Sequence, residues 1–414
     1  MEKRRVVITG MGAVTPLGLD LAQSWTAVKD GVCGIGPITQ YDTEKQKVKL
    51  AGEVRGFDPT QIIDKQEARK MDRYTQFALA SACEAVEQSG LDFAQEDTLR
   101  CCVIFASGIG GFSTTQAECL KGLQKGYDRV SPYFIPMSIS NMAAGNIAIR
   151  FGLHGMCTCP VSACASGTNA VGDAFRHIRD GYADIAIAGG SEATITDLAM
   201  GGFTSLRALH TGTDPQHAST PFDAGRSGFV MGEGSAALVL EEYEHAKARG
   251  AVVLAEIVGY GCSCDAHHIT APMPDGSGAA AAMRLAMQDA GVEPEQVDYI
   301  NAHGTSTPMN DAAETAAIKL AFGEHAYKLA VSSTKSMTGH LLGASGAVEA
   351  AFTAMALHDG FVPATLGYQT PDPACDLDIV PNVGRSAPLR YAMSNSLGFG
   401  GHNASILLQK WEEE

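Results

Sequence analysis

The segment Val161-Ser162-Ala163-Cys164-Ala165-Ser166-Gly167-Thr168-Asn169-Ala170 sets one thiol at the seam between an apolar run and a small-residue helix. After Gly167, apolar residues recur at Ala170, Val171, Ala174, Phe175 and Ile178, the spacing of one helix face, and Gly181 supplies a stop. Cys164 is therefore expected near a helix N-terminus. Unpaired N–H groups and the positive end of the macrodipole there favour thiolate, the form that attacks carbonyl carbon. A free cysteine is, by itself, more often a small buried hydrophobe. Two histidines add a second kind of chemistry. His303 lies in Asn301-Ala302-His303-Gly304-Thr305-Ser306-Thr307-Pro308, and His340 closes Ser333-Thr334-Lys335-Ser336-Met337-Thr338-Gly339-His340. Each could be a structural hydrogen-bonding residue or a ring N–H donor to an oxyanion. Their place in strand-end turns rich in glycine and hydroxyl residues favours function, because loops on rigid scaffolds carry it.

The elements that must position these residues occur twice. Val161 through Ala165-Ser166-Gly167 to Asp180-Gly181 and Ile185-Ala186 has a counterpart in Val331 through Ala344-Ser345-Gly346 to Asp359-Gly360 and Phe361-Val362. Both read as strand, glycine-bearing loop, amphipathic helix, Asp-Gly stop and strand. Gly228 to Leu240 likewise resembles Gly398 to Leu408, a glycine turn feeding a closing strand, and Cys102 to Gly108 matches Val297 to Gly304 more weakly. The expected organisation is two related α/β halves, residues 1–250 with the thiol and 251–414 with both histidines, each with a mixed sheet. The first half is longer between Phe112 and Gly155, where Tyr133, Phe134, Met137 and Met142 suit an apolar pocket, a subunit contact or plain core.

Composition narrows the partners. The 414 residues carry a formal charge of −16, which argues against nucleic acid or an anionic membrane. Eleven cysteines without a small-scaffold spacing read as reduced thiols in a cytosol-like compartment. The pairs Cys157/Cys159 and Cys262/Cys264, even with His267 and His268 nearby, lack a zinc-site spacing, so no metal is expected. Val6-Val7-Ile8-Thr9-Gly10 after three basic residues is read as a buried strand rather than a targeting segment, since glycines break it and Pro16-Leu17-Gly18 follows. No apolar stretch reaches membrane-spanning length.

Taken together, Ala163-Cys164-Ala165-Ser166-Gly167, His303-Gly304-Thr305-Ser306-Thr307-Pro308 with Asp311, Lys335-Ser336-Met337-Thr338-Gly339-His340 and Asn395-Ser396-Leu397-Gly398-Phe399-Gly400-Gly401-His402-Asn403 resemble the β-ketoacyl-[acyl carrier protein] synthases. The resemblance spans essentially the whole chain and is nearest to the class II condensing enzymes of bacterial fatty-acid synthesis. It implies an α/β thiolase-like fold, a cytoplasmic homodimer, acyl carrier protein in its acyl and malonyl forms as partner, and no cofactor. It further implies that Cys164 holds the acyl group as a thioester while malonyl-carrier loses CO2 and condenses with it. His303 and His340 would stabilise the enolate, and Lys335 would act beside them, paired with Glu314 or Glu349. The N–H groups of Cys164 and Phe399 would form the oxyanion hole, with Phe399 also the gate between malonyl and acyl sites.

The same resemblance gives Thr305 and Thr307 the pantetheine arm, Thr270 and His268 the wall of its tunnel, Gly400 the gate loop, and Ile109 and Phe203 the border of the acyl pocket. Lys65, Arg69, Lys70 and Arg207 are basic spots that would receive the acidic carrier, although a solvated helix face explains any one of them. Leu397 departs from the phenylalanine common in relatives. Among rivals, a thiolase would replace His340 by asparagine or pair its thiol with a second cysteine, and a non-catalytic chain-length subunit would lack Cys164. A polyketide-type ketosynthase shares these residues and stays open.

Overall fold

In the computed structural model, residues 3–412 are described. Ten strands form one sheet: β1 (Val6–Val14), β2 (Cys101–Ala106), β3 (Cys157–Thr158), β4 (Ile185–Glu192), β5 (Gly234–Glu242), β6 (Ala255–Cys264), β7 (Tyr299–Asn301), β8 (Ala330–Ser332), β9 (Tyr391–Gly398) and β10 (His402–Lys410). Their spatial order is β8-β7-β9-β10-β6-β1-β5-β4-β2-β3. That order is a palindrome about the β6–β1 junction, with β1 matching β6, β2 matching β7, and so on to β5 and β10. The two expected mixed sheets are thus joined edge to edge, because β1 pairs antiparallel with β6 at Val6↔Ile257 and Ile8↔Ala255.

Six helices complete the repeat: α1 (Arg73–Ser89), α2 (Met142–Phe151), α3 (Ser166–Arg179), α4 (Ser277–Ala290), α5 (Pro308–Phe322) and α6 (Ser345–Asp359). Successive residues of a strand point to opposite faces, and both faces here are covered, so the strands read as unbroken apolar runs. Cys102, Ile104 and Ala106 of β2 face the layer built by α3 and α6, whereas Cys101, Val103 and Phe105 face α1 and α2. In the other half Ile300, Met393 and Leu407 face α4 and α5. Fully burying Ile104 or Phe352 contributes about 1.5–3 kcal/mol each.

The central layer brings the two repeats together. Ala170, Val171, Ala174, Phe175 and Ile178, the predicted face of α3, are all buried, and the helix ends at Asp180 with Gly181 at φ 85°. Gly167 lets α3 approach α6 closely: a Cβ there would lie 2.8 Å from both the Gly343 carbonyl oxygen and the Ala347 nitrogen. Any side chain at 167 would push the two helix starts apart. The segment with Tyr133, Phe134, Met137 and Met142 is not core, since Tyr133 and Ile135 are exposed and the other three only half-buried.

Candidate active site

The nucleophile candidate stands on a strained turn. Ala163–Ala165 form one 3₁₀ turn leading into α3, and Ala163 takes a φ of 52°, unusual for a residue with a side chain. Ser166 Oγ accepts from the Ser162 N–H at 2.8 Å and donates to the Ala163 carbonyl at 2.6 Å, which fixes the turn. The other half repeats this with Leu342–Ala344, Leu342 at φ 47°, and Ser345 Oγ accepting from the Leu341 N–H at 2.9 Å. In this matching Cys164 corresponds to Gly343, and His340 lies just upstream of the second turn.

Cys164, His303, His340, Phe203, Thr270, Thr305, Thr307 and Phe399 open onto one cavity of about 320 Å³. The two imidazoles stand edge to face with centroids 5.1 Å apart, and Phe229 packs edge-on against His340. His340 Nδ1 lies 2.9 Å from Ser345 Oγ. Nδ1 is the one hydrogen-bond acceptor within reach of the Ser345 hydroxyl proton among the described residues, and a donation there leaves the ring proton of His340 on Nε2. His303 Nδ1 is buried with no hydrogen-bond partner. Its loop is held instead through the backbone, where Glu314 accepts from the N–H groups of His303 and Gly304, each at 2.7 Å. Arg226 braces the far end of the loop through the Pro308 carbonyl at 3.0 Å and an ion pair with Asp372.

Electrostatics corrects one expectation. Burial pushes the Cys164 thiol up to about 12, against the pull of Lys335 and the N–H groups of Phe399 and Cys164 itself. Loss of water around the sulfur outweighs the helix N-terminus, so the resting residue is a thiol and not a thiolate. Burial, followed by Lys335, holds both imidazoles well below their ordinary range, so both are neutral at pH 7. Lys335 is 1% exposed, pairs with Glu349 rather than Glu314, and does not line the cavity. It acts on the rings and the sulfur through its field. Glu349 is pushed up to about 7 by burial, and its second oxygen has no partner.

Other candidates divide. Thr305 and Thr307 join through their hydroxyls at 2.9 Å on the cavity wall, and Phe203 stacks edge-on with Phe229 at 5.5 Å. Ile109 packs in the apolar cluster behind Cys164, with Met200, Leu209 and Leu342. His268 does not face the cavity: its Nδ1 accepts from the N–H groups of Thr270 and Ala271, each at 3.1 Å, and so shapes its own loop. Gly400 likewise turns away, its N–H donating to the Ile269 carbonyl at 2.8 Å. Asp265, which the sequence reading missed, lines the cavity and ties the two loops, accepting from Asn403 Nδ2 at 2.7 Å and donating its N–H to the Gly401 carbonyl at 2.8 Å. Of the basic spots only Arg207 sits at the cavity. Lys65, Arg69 and Lys70 lie on and after the short helix Lys65–Ala68, with Lys70 paired to Glu67 at 2.6 Å.

Comparison with known proteins places this geometry. Residues 3–246 match the model of the β-ketoacyl synthase N-terminal domain, and residues 254–369 that of the C-terminal domain. The chain is 51% identical to a 3-oxoacyl-[acyl-carrier-protein] synthase 2 of Synechocystis sp. over 413 residues, covering all of this chain and 99% of the relative. It is 52% identical over 411 residues to the protein of the same description from Staphylococcus aureus, covering 99% of each. Among solved structures it superposes on a β-ketoacyl synthase from Burkholderia phymatum with a TM-score of 0.90 at 36% identity, covering 99% and 100% of the two chains. A type II polyketide ketosynthase solved in complex with its acyl-carrier protein gives a TM-score of 0.91 at 35% identity, with the same coverage.

Proposed function

The chain belongs to the β-ketoacyl synthase family, and from that premise we propose how its side chains divide the reaction. The reaction is the decarboxylative Claisen condensation of an acyl group with malonyl-[acyl carrier protein], giving 3-oxoacyl-[acyl carrier protein], CO2 and free carrier, and lengthening a fatty acid by two carbons. Identity of 51–52% to the 3-oxoacyl-[acyl-carrier-protein] synthases 2, against 35% to the type II polyketide ketosynthase, supports this over the polyketide reading.

The observation that carries the assignment is the convergence of a thiol and two neutral imidazoles on one cavity. In the first half-reaction the Cys164 sulfur attacks the acyl thioester, its carbon–sulfur bond to the carrier breaks, and the thiol proton passes to the departing pantetheine sulfur. A neutral ring in the same cavity is the relay available to a thiol with so high a pKa. In the second half-reaction malonyl-carrier loses CO2, and the electron pair stays on the α-carbon and thioester oxygen. Nε2–H of His340 and a ring N–H of His303 donate to that oxygen. The carbanion attacks the acyl carbon, the new oxyanion is met by the N–H groups of Cys164 and Phe399, and collapse releases the Cys164 sulfur, which is then reprotonated. Lys335 and Glu349 hold the field, while Thr305, Thr307 and Thr270 receive the pantetheine arm.

Intact-mass measurement after incubation with acyl-carrier protein tests the reading. The wild-type chain gains one acyl group and Cys164→Ala gains none; an acylated alanine variant overturns it. Leu120, Leu123, Ile135, Ile139, Ile149 and Val161, each at least 42% exposed on the segments that precede and follow the exposed edge strand β3, support a homodimer. Sedimentation velocity checks this, with a species of two chains expected and a lone monomer at micromolar concentration excluding it.

A further inference from the structure

Glu192 is the last residue of β4, wholly buried, and absent from the reaction just described. Its carboxylate collects four donors. Oε1 accepts from Ser107 Oγ at 3.0 Å and the Ile109 N–H at 3.2 Å, and Oε2 accepts from the N–H groups of Gly108 at 2.8 Å and Gly343 at 2.9 Å. Three come from the loop that carries Ile109, the fourth from the second repeat's turn, next to Leu342. Both Ile109 and Leu342 pack with Cys164 in one apolar cluster. The space for the carboxylate exists because residues 108 and 343 lack side chains: a Cβ on either would lie 2.8 Å from Oε2.

The palindrome gives this arrangement a meaning. β4 pairs with β5 from Ile185↔Glu241 to Glu192↔Gly234, and β9 pairs with β10 from Tyr391↔Gln409 to Gly398↔His402. Glu192 therefore corresponds to Gly398, just as Gly343 corresponds to Cys164. Gly398 borders the Cys164 turn, where a Cβ would come within 3.2 Å of the Cys164 nitrogen. Each turn is thus roofed by the strand end of the opposite half, open glycine over the thiol and carboxylate over its twin.

We propose that Glu192 is a positioning residue for the acyl-transfer step: its carboxylate fills the twin of the catalytic pocket and, through that anchorage, holds Ile109 and Leu342 as the wall against which the acyl chain is seated. This rests on the acyl-synthase reading above. All four partners are donors, so a neutral amide at 192 sets one N–H against another and cannot hold the loop. The charge works in the opposite sense on chemistry, since its field raises the Cys164 thiol further. Removing it eases ionisation while loosening the wall, and the two effects can be read separately.

The test compares wild type with Glu192→Gln and Ser107→Ala in three measurements: Cys164 thioester formation from acyl-carriers of graded chain length, alkylation of Cys164 by iodoacetamide, and malonyl-carrier decarboxylation. Glu192→Gln is expected to slow acylation at least about tenfold and to change its dependence on chain length, a loss typical of misplacement by an ångström. Alkylation is not slowed, and decarboxylation stays within about twofold. Ser107→Ala, which removes one donor and leaves the carboxylate, shifts the chain-length profile the same way by a smaller factor, and decides the matter if the glutamine variant does not fold. Formate added to Glu192→Ala restores part of the acylation rate, and formamide does not. An unchanged chain-length profile, or a parallel fall in all three measurements, overturns the proposal. Wild type that forms no Cys164 thioester instead removes the underlying functional reading.

Discussion

The turn at Ala163–Gly167 and the turn at Leu342–Gly346 share a backbone: a left-handed residue, a 3₁₀ step, a serine bonded back to the turn, and a glycine that admits the other helix. One carries a thiol under an open roof and the other an amide capped by a buried carboxylate. The scaffold by itself therefore makes no catalyst. Two exchanges across the repeat, cysteine for glycine and glycine for glutamate, are the difference between a working site and a structural anchor. The histidines add a further asymmetry, because both belong to the second half yet face the first half's thiol across the same cavity.

The comparison breaks most sharply at the histidines. His303→Ala or His340→Ala is expected to lower malonyl-carrier decarboxylation about a hundredfold to a thousandfold while Cys164 still alkylates with iodoacetamide, because each substitution removes one oxyanion donor. Full decarboxylation in both variants would mean that the asymmetry in histidines has no chemical meaning. A methyl group on the open roof comes next. Gly398→Ala puts a Cβ 2.7 Å from the Ser162 carbonyl oxygen and 3.2 Å from the Cys164 and Ala165 nitrogens, so the turn must shift: condensation should fall about tenfold to a hundredfold, with a measurable loss of thermal stability. Condensation at the wild-type rate would show that the open roof is not needed. The smallest effect lies outside both turns. Lys65→Glu or Arg69→Glu should raise the apparent KM for carrier protein about threefold to tenfold at low salt and less at high salt, with kcat held. An unchanged KM in both would leave Arg207, at the cavity mouth, as the docking residue to examine.

Local pattern made much of this legible in the sequence. The apolar spacing of α3 needed only helical periodicity, and the doubled strand–loop–helix order indicated two related halves, though not that their strands join in one sheet. What stayed hidden depends on contacts between distant segments. Glu192 ends a run of Ile-Ala-Ile-Ala-Gly-Gly-Ser that gives no sign that Gly108 and Gly343 converge on it. A helix N-terminus that favours thiolate is visible in the sequence, whereas the burial of the thiol in an apolar cluster, which raises it, is not. Glu349 as the partner of Lys335 required knowing which face of α6 meets the Lys335 turn. His268 and Gly400, assigned from their motifs, turn to backbone partners that no spacing rule reveals.

The place of β1 in the sheet bears on how the chain is made. Its Val6–Val14 segment leaves the ribosome well before both of its neighbours, Gly234–Glu242 and Ala255–Cys264. Until residue 242 has emerged, a nine-residue apolar strand has no edge to join. Such distant pairing makes for slow assembly and leaves a sticky segment exposed in the meantime. Growing chains halted before β5 should therefore be the form most dependent on chaperones, and the second half, whose own first strand joins an edge already present, should close quickly behind it.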